Sequence, residues 1–159
     1  MVNIVVGLSE APLIPGAIDV QLAEPCDSGA RVVFCGQARD EGGVVDSLFV
    51  EHFPSMTEAS LRTICEQAAK NWPVNRIVLV HRIGHVGAGD DLVQVGVSAD
   101  HRQQAFLACT FIMDYLKTQA PFWKKEIGVE GEHWVEAKTS DAEAAERWKK
   151  VSQDEEHER

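Results

Sequence analysis

The sequence has no hydrophobic run long enough to cross a membrane. Its longest apolar stretches, such as Ile77 to Val80, fall far short of the roughly 20 residues that span a bilayer. The N-terminal region begins Met1-Val2-Asn3-Ile4 and lacks the basic segment, apolar core and small-residue cleavage site of a signal peptide. We therefore expect a cytoplasmic protein without a membrane span.

Cysteine is scarce, and its spacing matches no common metal or redox motif. The cysteines are Cys26, Cys35, Cys65 and Cys109. No Cys-x-x-Cys pair occurs, so we expect reduced and mostly buried thiols. His81 and His85 stand four residues apart, but Gly84 and the strand pattern before it argue against a helical metal-binding pair. The sequence therefore predicts no metal site.

Positive charge is in the minority. The chain has 15 Lys and Arg residues against 25 Asp and Glu residues, which gives a net charge of −10. Nucleic acids and anionic membranes are themselves strongly negative, so this balance disfavours both as partners. Part of the negative charge is local, because the chain ends in the polar run Asp154 to Arg159.

The length and composition predict a single domain. With 159 residues and 45% hydrophobic content, the chain can bury one core but is too short for two ordinary domains. We expect the domain to cover residues 1–150. Residues 151–159 are expected to form a charged, disordered tail.

Helical spacing of apolar residues predicts three main helices and one brief helix. The brief helix is expected at Ala17 to Leu22, and the others from Ser55 to Pro73, from Ser98 or Asp100 to Gln119, and from Ser140 to Lys150. Ser55-x-x-Glu58 and Ser140-x-x-Glu143 both match the capping box, in which side chains satisfy the free amides of a helix start. Ser98 or Asp100 is expected to cap the third helix.

Short apolar or alternating segments predict the strands. They are expected near Ile4 to Val6 and over Arg31 to Cys35, Val44 to His52, Arg76 to Arg82, Asp91 to Ser98, Lys124 to Ile127 and His133 to Ala137. The segment Gly84 to Asp90 is expected to be a turn. Three connections between strands are too short for parallel crossovers, which indicates hairpins. This predicts an α+β fold with mostly antiparallel strands packed against three main helices.

The end of the long helix contains the first candidate catalytic residues. Lys117 and Lys124 flank a turn of Pro121, Phe122 and Trp123, so cations lie beside apolar bulk. Such surroundings disfavour the ammonium form of a lysine, and the neutral amine can attack a carbonyl or transfer a proton. Alternatively, Lys117 pairs with Asp114 three residues earlier and complements the helix dipole.

The start of the same helix carries the second candidate. His101 and Arg102 lie in its first turn, where positive charge opposes the helix dipole unless an anion is nearby. Together with Arg39, from a glycine-flanked loop, they would suit a phosphate. Alternatively, Arg102 pairs with Asp100 or Asp40.

Several motifs resemble those of the molybdopterin synthase large subunit family. They are the segments Glu51 to Glu58, His81 to Gly84, Ser98 to Arg102, Phe111 to Thr118 and Ala120 to Glu126. The likeness runs from about Ile4 to Trp148, and the block around Lys117 is its most specific part.

The resemblance implies a fold, a partner and a reaction. The family has an α+β domain with a hammerhead-like β motif, and two large subunits form the central dimer of a heterotetramer. A small ubiquitin-like sulfur carrier inserts its C-terminal Gly-Gly thiocarboxylate, and sulfur passes to cyclic pyranopterin monophosphate to give the dithiolene of molybdopterin. The chain would then be a sulfurtransferase of molybdenum cofactor biosynthesis, and no metal or organic cofactor is expected.

The resemblance also implies roles for particular residues. Lys117 would be the principal catalytic lysine, and Lys124 would help to bind the substrate or the carrier tail. The substrate pocket would be formed by Gln37, Ala38, Arg39, His101, Arg102, Lys125 and Glu126.

Two positions depart from the family pattern. The family often has Lys-Val-Arg where this chain has Gln37-Ala38-Arg39, so one positive charge near the substrate is missing. Lys138 stands where some members carry an arginine that is thought to reach the neighbouring subunit's pocket. Lysine keeps the charge but loses the planar donor fork, so Lys138 is expected to contact the substrate less tightly.

The residues leave two other functions open. One is a lyase or aldolase that uses Lys117 as a Schiff base with a small phosphorylated carbonyl compound, which borohydride would trap. The other is a non-catalytic dimeric scaffold whose lysines pair with a carrier's acidic surface. Turnover with purified carrier and pterin would exclude the scaffold.

Overall fold

The computed structural model describes residues 2–24, 27–136 and 139–157. In chain order the elements are β1 (Asn3–Ser9), α1 (Ala17–Leu22), β2 (Ala30–Gln37), β3 (Val45–His52), α2 (Met56–Asn71), β4 (Arg76–Arg82), β5 (Gly84–Gly87), β6 (Asp91–Ala99), α3 (Arg102–Gln119), β7 (Phe122–Gly128), β8 (Gly131–Trp134) and α4 (Thr139–His157). The predicted α+β class is confirmed.

The larger sheet has the strand order β1-β4-β6-β2 and contains the main core. Strands β1 and β4 are parallel, and the other two pairs are antiparallel. Helices α2 and α3 cover one face with side chains such as Ile64 and Ile112, while α1 covers the other with Ile18 and Leu22. Because helices cover both faces, the central strands β4 and β6 are almost continuously buried.

The smaller sheet has the strand order β5-β3-β7-β8 and is antiparallel throughout. Its inner face forms a second cluster that includes Leu48, Val50 and Val86, against which Phe122 packs. Phe122 also packs against the main core. The first residue of β7 therefore lies where the two cores meet.

The helix starts differ from the sequence prediction. Ser55 has a positive φ of 69° and makes no side-chain cap bond, so the predicted capping box does not form. Instead the Thr57 hydroxyl accepts from the Phe53 amide at 3.0 Å and donates to the Pro121 carbonyl at 3.1 Å. Ser140 lies inside α4, which begins one residue earlier.

The start of α3 also differs from the expectation. Its N-cap is His101, without a side-chain bond, rather than Ser98 or Asp100. Asp100 is engaged elsewhere, because its carboxylate accepts from the Asn75 side-chain amide at 3.0 Å. Helix α4 continues to His157, across the boundary predicted at residue 150.

Two predictions about the strands were wrong. The segment Gly84 to Asp90, expected to be a turn, contains β5, which pairs with β3. Of the three expected hairpins, β7 with β8 and β4 with β6 are antiparallel pairs, but β2 and β3 belong to different sheets. The glycine-rich connection between β2 and β3 therefore carries the chain from one sheet to the other.

No helix within the described ranges is long and apolar enough to span a membrane. Cys65 and Cys109 are free and buried as expected, and burial raises the pKa of Cys65 to about 12 and of Cys109 to about 11. Cys35 is free and exposed. Cys26 lies outside the described residues.

Candidate active site

A pocket of about 240 Å³ lies between the end of α3, the inner face of β7 and the loop that follows β2. Its lining includes five of the residues predicted from the sequence: Gln37, Arg39, Lys117, Lys124 and Glu126. Leu48, Leu92, Leu116 and Phe122 supply apolar walls. Cations are thus gathered beside apolar surface, as the sequence around Lys117 suggested.

Strand alternation decides which residues of β7 reach the pocket. Phe122, Lys124 and Glu126 line the pocket, two residues apart along the strand. Lys125, which was expected to line it too, lies on the opposite face because successive side chains alternate. There its ammonium pairs with Glu132 at 3.2 Å and lies 5.5 Å from the centre of the Trp134 ring.

Lys124 has the most altered electrostatics in the pocket. Its pKa is lowered to about 8, mainly by burial and also by the nearby charge of Lys117, while Asp141 opposes the change. With that pKa, about a tenth of the Lys124 side chains carry a neutral amine at about pH 7. The alternative partner considered for Lys117 is engaged elsewhere, because Asp114 accepts from the Trp148 indole N–H at 2.7 Å.

Arg39 projects from the loop after β2 and is largely exposed. One of its guanidinium nitrogens lies 3.8 Å from a carboxylate oxygen of Glu41, a loose contact that leaves donors for an anion. Ala38 is buried, and its backbone bonds to Asp90 at 2.9 Å and to Gly89 at 2.7 Å fix the loop. Ala38 lines an adjoining cavity that Gln37 and Arg39 share with the pocket.

His101 and Arg102 do not reach this pocket within one chain. They lie at the start of α3, whereas Lys117 is near its end, and 15 helical residues at 1.5 Å each separate Arg102 from Lys117 by about 22 Å. The alternative partners suggested for Arg102 have other contacts: Asp100 binds Asn75, and Asp40 accepts from the Gly42 amide at 3.1 Å. Lys138 lies outside the described residues.

Carboxylates in the pocket were largely missed by the sequence analysis. The lining includes Glu41, Glu126, Glu136 and Asp141. Only Glu126 was expected there, and its carboxylate lies 2.9 Å from the His133 imidazole. Three cations and four carboxylates therefore share the described lining, so this part of one chain supplies no excess of positive charge.

A second omission is His81, for which the sequence predicted no role at the pocket. It is buried at the end of β4, and its ring stacks on Phe122 with 4.0 Å between centroids. It begins the family-like segment His81 to Gly84, but no role followed from that, because a histidine within an apolar strand is usually a satisfied core residue.

Comparisons with known proteins identify the family of this chain. Residues 8–119 match the family model described as MoaE protein. The molybdopterin synthase catalytic subunit of Vibrio cholerae is 51% identical over 129 residues, which are 80% of this chain and 86% of that protein.

Comparison with solved structures leads to the same family. The MoaE protein of Burkholderia ambifaria has a TM-score of 0.76 and 38% identity, covering 91% of this chain and 97% of that one. A molybdopterin synthase structure from Staphylococcus aureus has a TM-score of 0.72 and 30% identity, with 85% and 96% covered. With a family match over most of its length and a curated relative at 51% identity, the chain belongs to the MoaE family.

Proposed function

We propose that this chain is the catalytic subunit of a molybdopterin synthase. It transfers sulfur from the thiocarboxylated C-terminus of a small carrier protein to cyclic pyranopterin monophosphate. The observation that carries the proposal is the convergence of Lys117, Lys124 and Arg39 on one pocket in a chain of the MoaE family. A charged, phosphorylated substrate does not cross a bilayer unaided, so we place the reaction in the cytoplasm, where we expect the substrate to be made.

The pocket suits this reaction because a thiocarboxylate is already an activated sulfur nucleophile. The protein must hold an anionic substrate, limit the access of water and move protons. Lys124 is partly neutral near pH 7, so it can accept a proton and return it within one turnover. Lys117 is exposed at the pocket, where it can contact the incoming carrier terminus.

The phosphate of the pterin needs more positive charge than the described lining provides. Arg39 can bind a phosphate through its guanidinium, but the lining carboxylates outnumber the cations. His101 and Arg102 are exposed and could supply the missing charge, yet they lie about 22 Å along α3 from Lys117. A second copy of the chain would bring them to the pocket.

The edge strand β2 offers the surface for that second copy. It ends the larger sheet within the described residues and exposes Val33 (37%) and Phe34 (40%). Pairing of β2 with β2 of another copy about a two-fold axis is antiparallel, so the start of one strand lies beside the end of the other. The start of β2 pairs with the end of β6, next to His101, and its end at Gln37 borders the pocket. Such a dimer places His101 and Arg102 of one copy near the other copy's pocket.

The test of the function is turnover. The protein is mixed with thiocarboxylated carrier and cyclic pyranopterin monophosphate, and molybdopterin is quantified. Lys117→Ala is expected to abolish product formation without changing the dimer, whereas Lys70→Ala, an exposed lysine on α2, is expected to keep wild-type activity. Full activity in Lys117→Ala would remove Lys117 from the mechanism.

The shared site has its own test, the mixing of two inactive variants. When Lys117→Ala and Arg102→Ala protomers exchange, half of the dimers are hybrids, and each hybrid has one intact site if Arg102 acts across the dimer. About a quarter of wild-type activity should then return. If both residues served the same chain's pocket, every site would keep a defect and no activity would return.

A Schiff-base lyase is the second candidate, favoured by the lowered pKa of Lys124. Borohydride treatment in the presence of the cyclic pterin distinguishes the two. A sulfurtransferase should show no mass increase on Lys117 or Lys124, whereas a reduced adduct on either lysine would support the lyase.

A further inference from the structure

His81 is a buried polar side chain directly behind the pocket. It lies near the end of β4, between Leu8 of β1 and Val93 of β6, and only 1% of it is exposed. Its Nδ1 is 2.6 Å from the Arg82 carbonyl oxygen. A carbonyl can only accept, so Nδ1 must carry the hydrogen, which fixes the tautomer of the neutral ring.

The ring of His81 supports a pocket residue. It stacks on Phe122 with 4.0 Å between centroids and 19° between the ring planes. Phe122 lines the pocket and contacts both cores, and Lys124 follows two residues later on the same face of β7. The contact of His81 with the pocket therefore runs through Phe122.

The ring is also uncharged. The pKa of His81 is lowered to about 3, mainly by burial; the bond to Arg82 opposes the change, and the charges of Lys124 on β7 and Lys117 on α3 add to it. Arg82 lies next to it on β4, and Asp141 of α4 acts on Lys124. With these neighbours, the ring remains neutral at neutral pH and adds no further cation to the lysine pair.

We infer that His81 is a positioning residue for Lys124: through the stack, it holds Phe122 as the wall that keeps water from the Lys124 amine. Without the stack, Phe122 could turn away and the amine would become better hydrated. Water favours the ammonium form, so the neutral fraction of Lys124 would fall. The effect on the rate rests on the proposed function, but the effect on Lys124 itself does not.

The test compares two substitutions of His81 in the full-length protein. His81→Phe keeps a flat ring against Phe122, and His81→Asn keeps a hydrogen-bond donor but loses the stack. The pH midpoint of Lys124 is measured by pulse labelling with acetic anhydride across a pH series, followed by peptide mass spectrometry. His85→Asn, at an exposed histidine on the outer face of the smaller sheet, is the matched control.

The wild-type midpoint is expected at about 8. His81→Asn should raise it by about one pH unit, which lowers the neutral fraction at about pH 7.5 roughly eightfold. His81→Phe and His85→Asn should leave it unchanged. The inference is overturned if folded His81→Asn keeps the wild-type midpoint, or if His81→Phe shifts it as far as His81→Asn does.

A second variant guards against misfolding of His81→Asn. Phe122→Leu keeps His81 and an apolar pocket wall but removes the stack, so it should raise the Lys124 midpoint in the same direction. An unchanged midpoint in Phe122→Leu would also overturn the inference. Because labelling needs neither carrier nor pterin, a wild-type protein that makes no molybdopterin would refute the proposed function and leave this result standing.

Discussion

Replacing Lys124 with methionine should stabilise the protein while it destroys the site. Lys124 is a cation held in partly buried surroundings next to Lys117, and its folded-state pKa is about 8 against an ordinary value of 10.5. Below about pH 8 the amine is charged in both the folded and the unfolded chain, so folding has to desolvate a charge. Methionine has a similar shape without that cost.

The size of the effect follows from the two pKa values. The difference between 8 and 10.5 corresponds to about 3 kcal/mol in the free energy of unfolding at about pH 7. Water reaches part of the amine and screens the charges, so we expect about 2 kcal/mol. Between about pH 8 and pH 10.5 the folded protein has released its proton and the unfolded chain has not. The wild-type protein therefore becomes more stable relative to Lys124→Met as pH rises.

The assay is urea denaturation of both proteins at a series of pH values. Lys124→Met should be more stable at about pH 7, and its advantage should fall to about 40% of that value by about pH 9.5. Lys70→Met, on the exposed surface of α2, should show no gain at either pH. The reasoning is refuted if Lys124→Met is less stable than the wild type at neutral pH, or if its advantage does not depend on pH.

Two further predictions concern packing around the core. Gly96→Ala should lower stability by about 1–3 kcal/mol in urea denaturation, because the new Cβ would clash with a Leu22 methyl. Gly7→Ala, with open space around it, is the control, and equal losses in both would contradict the packing argument. Trp148→Phe should lower the free energy of unfolding by about 1–2 kcal/mol in the same assay, because it removes the indole donor 2.7 Å from the Asp114 carboxylate. An unchanged urea midpoint would show that this hydrogen bond contributes nothing to stability.

The parts of the fold that the sequence predicted well are those with strong local patterns. Strand β4 has the expected ends, and α2 and α3 follow their apolar spacing to the proline after each. Strand β5 was missed because its four residues, Gly84–Gly87, contain two glycines and pair with β3, which is more than 30 residues earlier. No local sequence pattern can predict a strand partner that is so distant in the chain.

The predictions of the helix caps were wrong for a related reason. The Ser55 pattern is compatible with a capping box, but the chain enters α2 with a positive φ, and the hydroxyl that is used belongs to Thr57. That hydroxyl also bonds to Pro121, which is 64 residues away. Tertiary contact therefore overrides the local preference at this helix start.

The candidate site was predictable in part. The resemblance brought Arg39 together with Lys117 and Lys124, which no spacing rule could do. Two corrections, however, needed only simple geometry. Strand alternation separates Lys125 from Lys124, and the length of α3 separates Arg102 from Lys117. The role of His81 could not be predicted from the sequence, because it depends on a ring contact between two sheets.

The connection between α3 and β7 consists of only Ala120 and Pro121. Side chains repeat with a different period in a helix and in a strand. The length of this short link therefore determines which side chains of β7 face inwards. One inserted residue that shifted the pairing of β7 with β3 by one position would move Trp123 and Lys125 to the inner side and turn Lys124 outwards. Homologous chains that keep the lysine pair are therefore expected to keep the length of this link, even where its composition drifts.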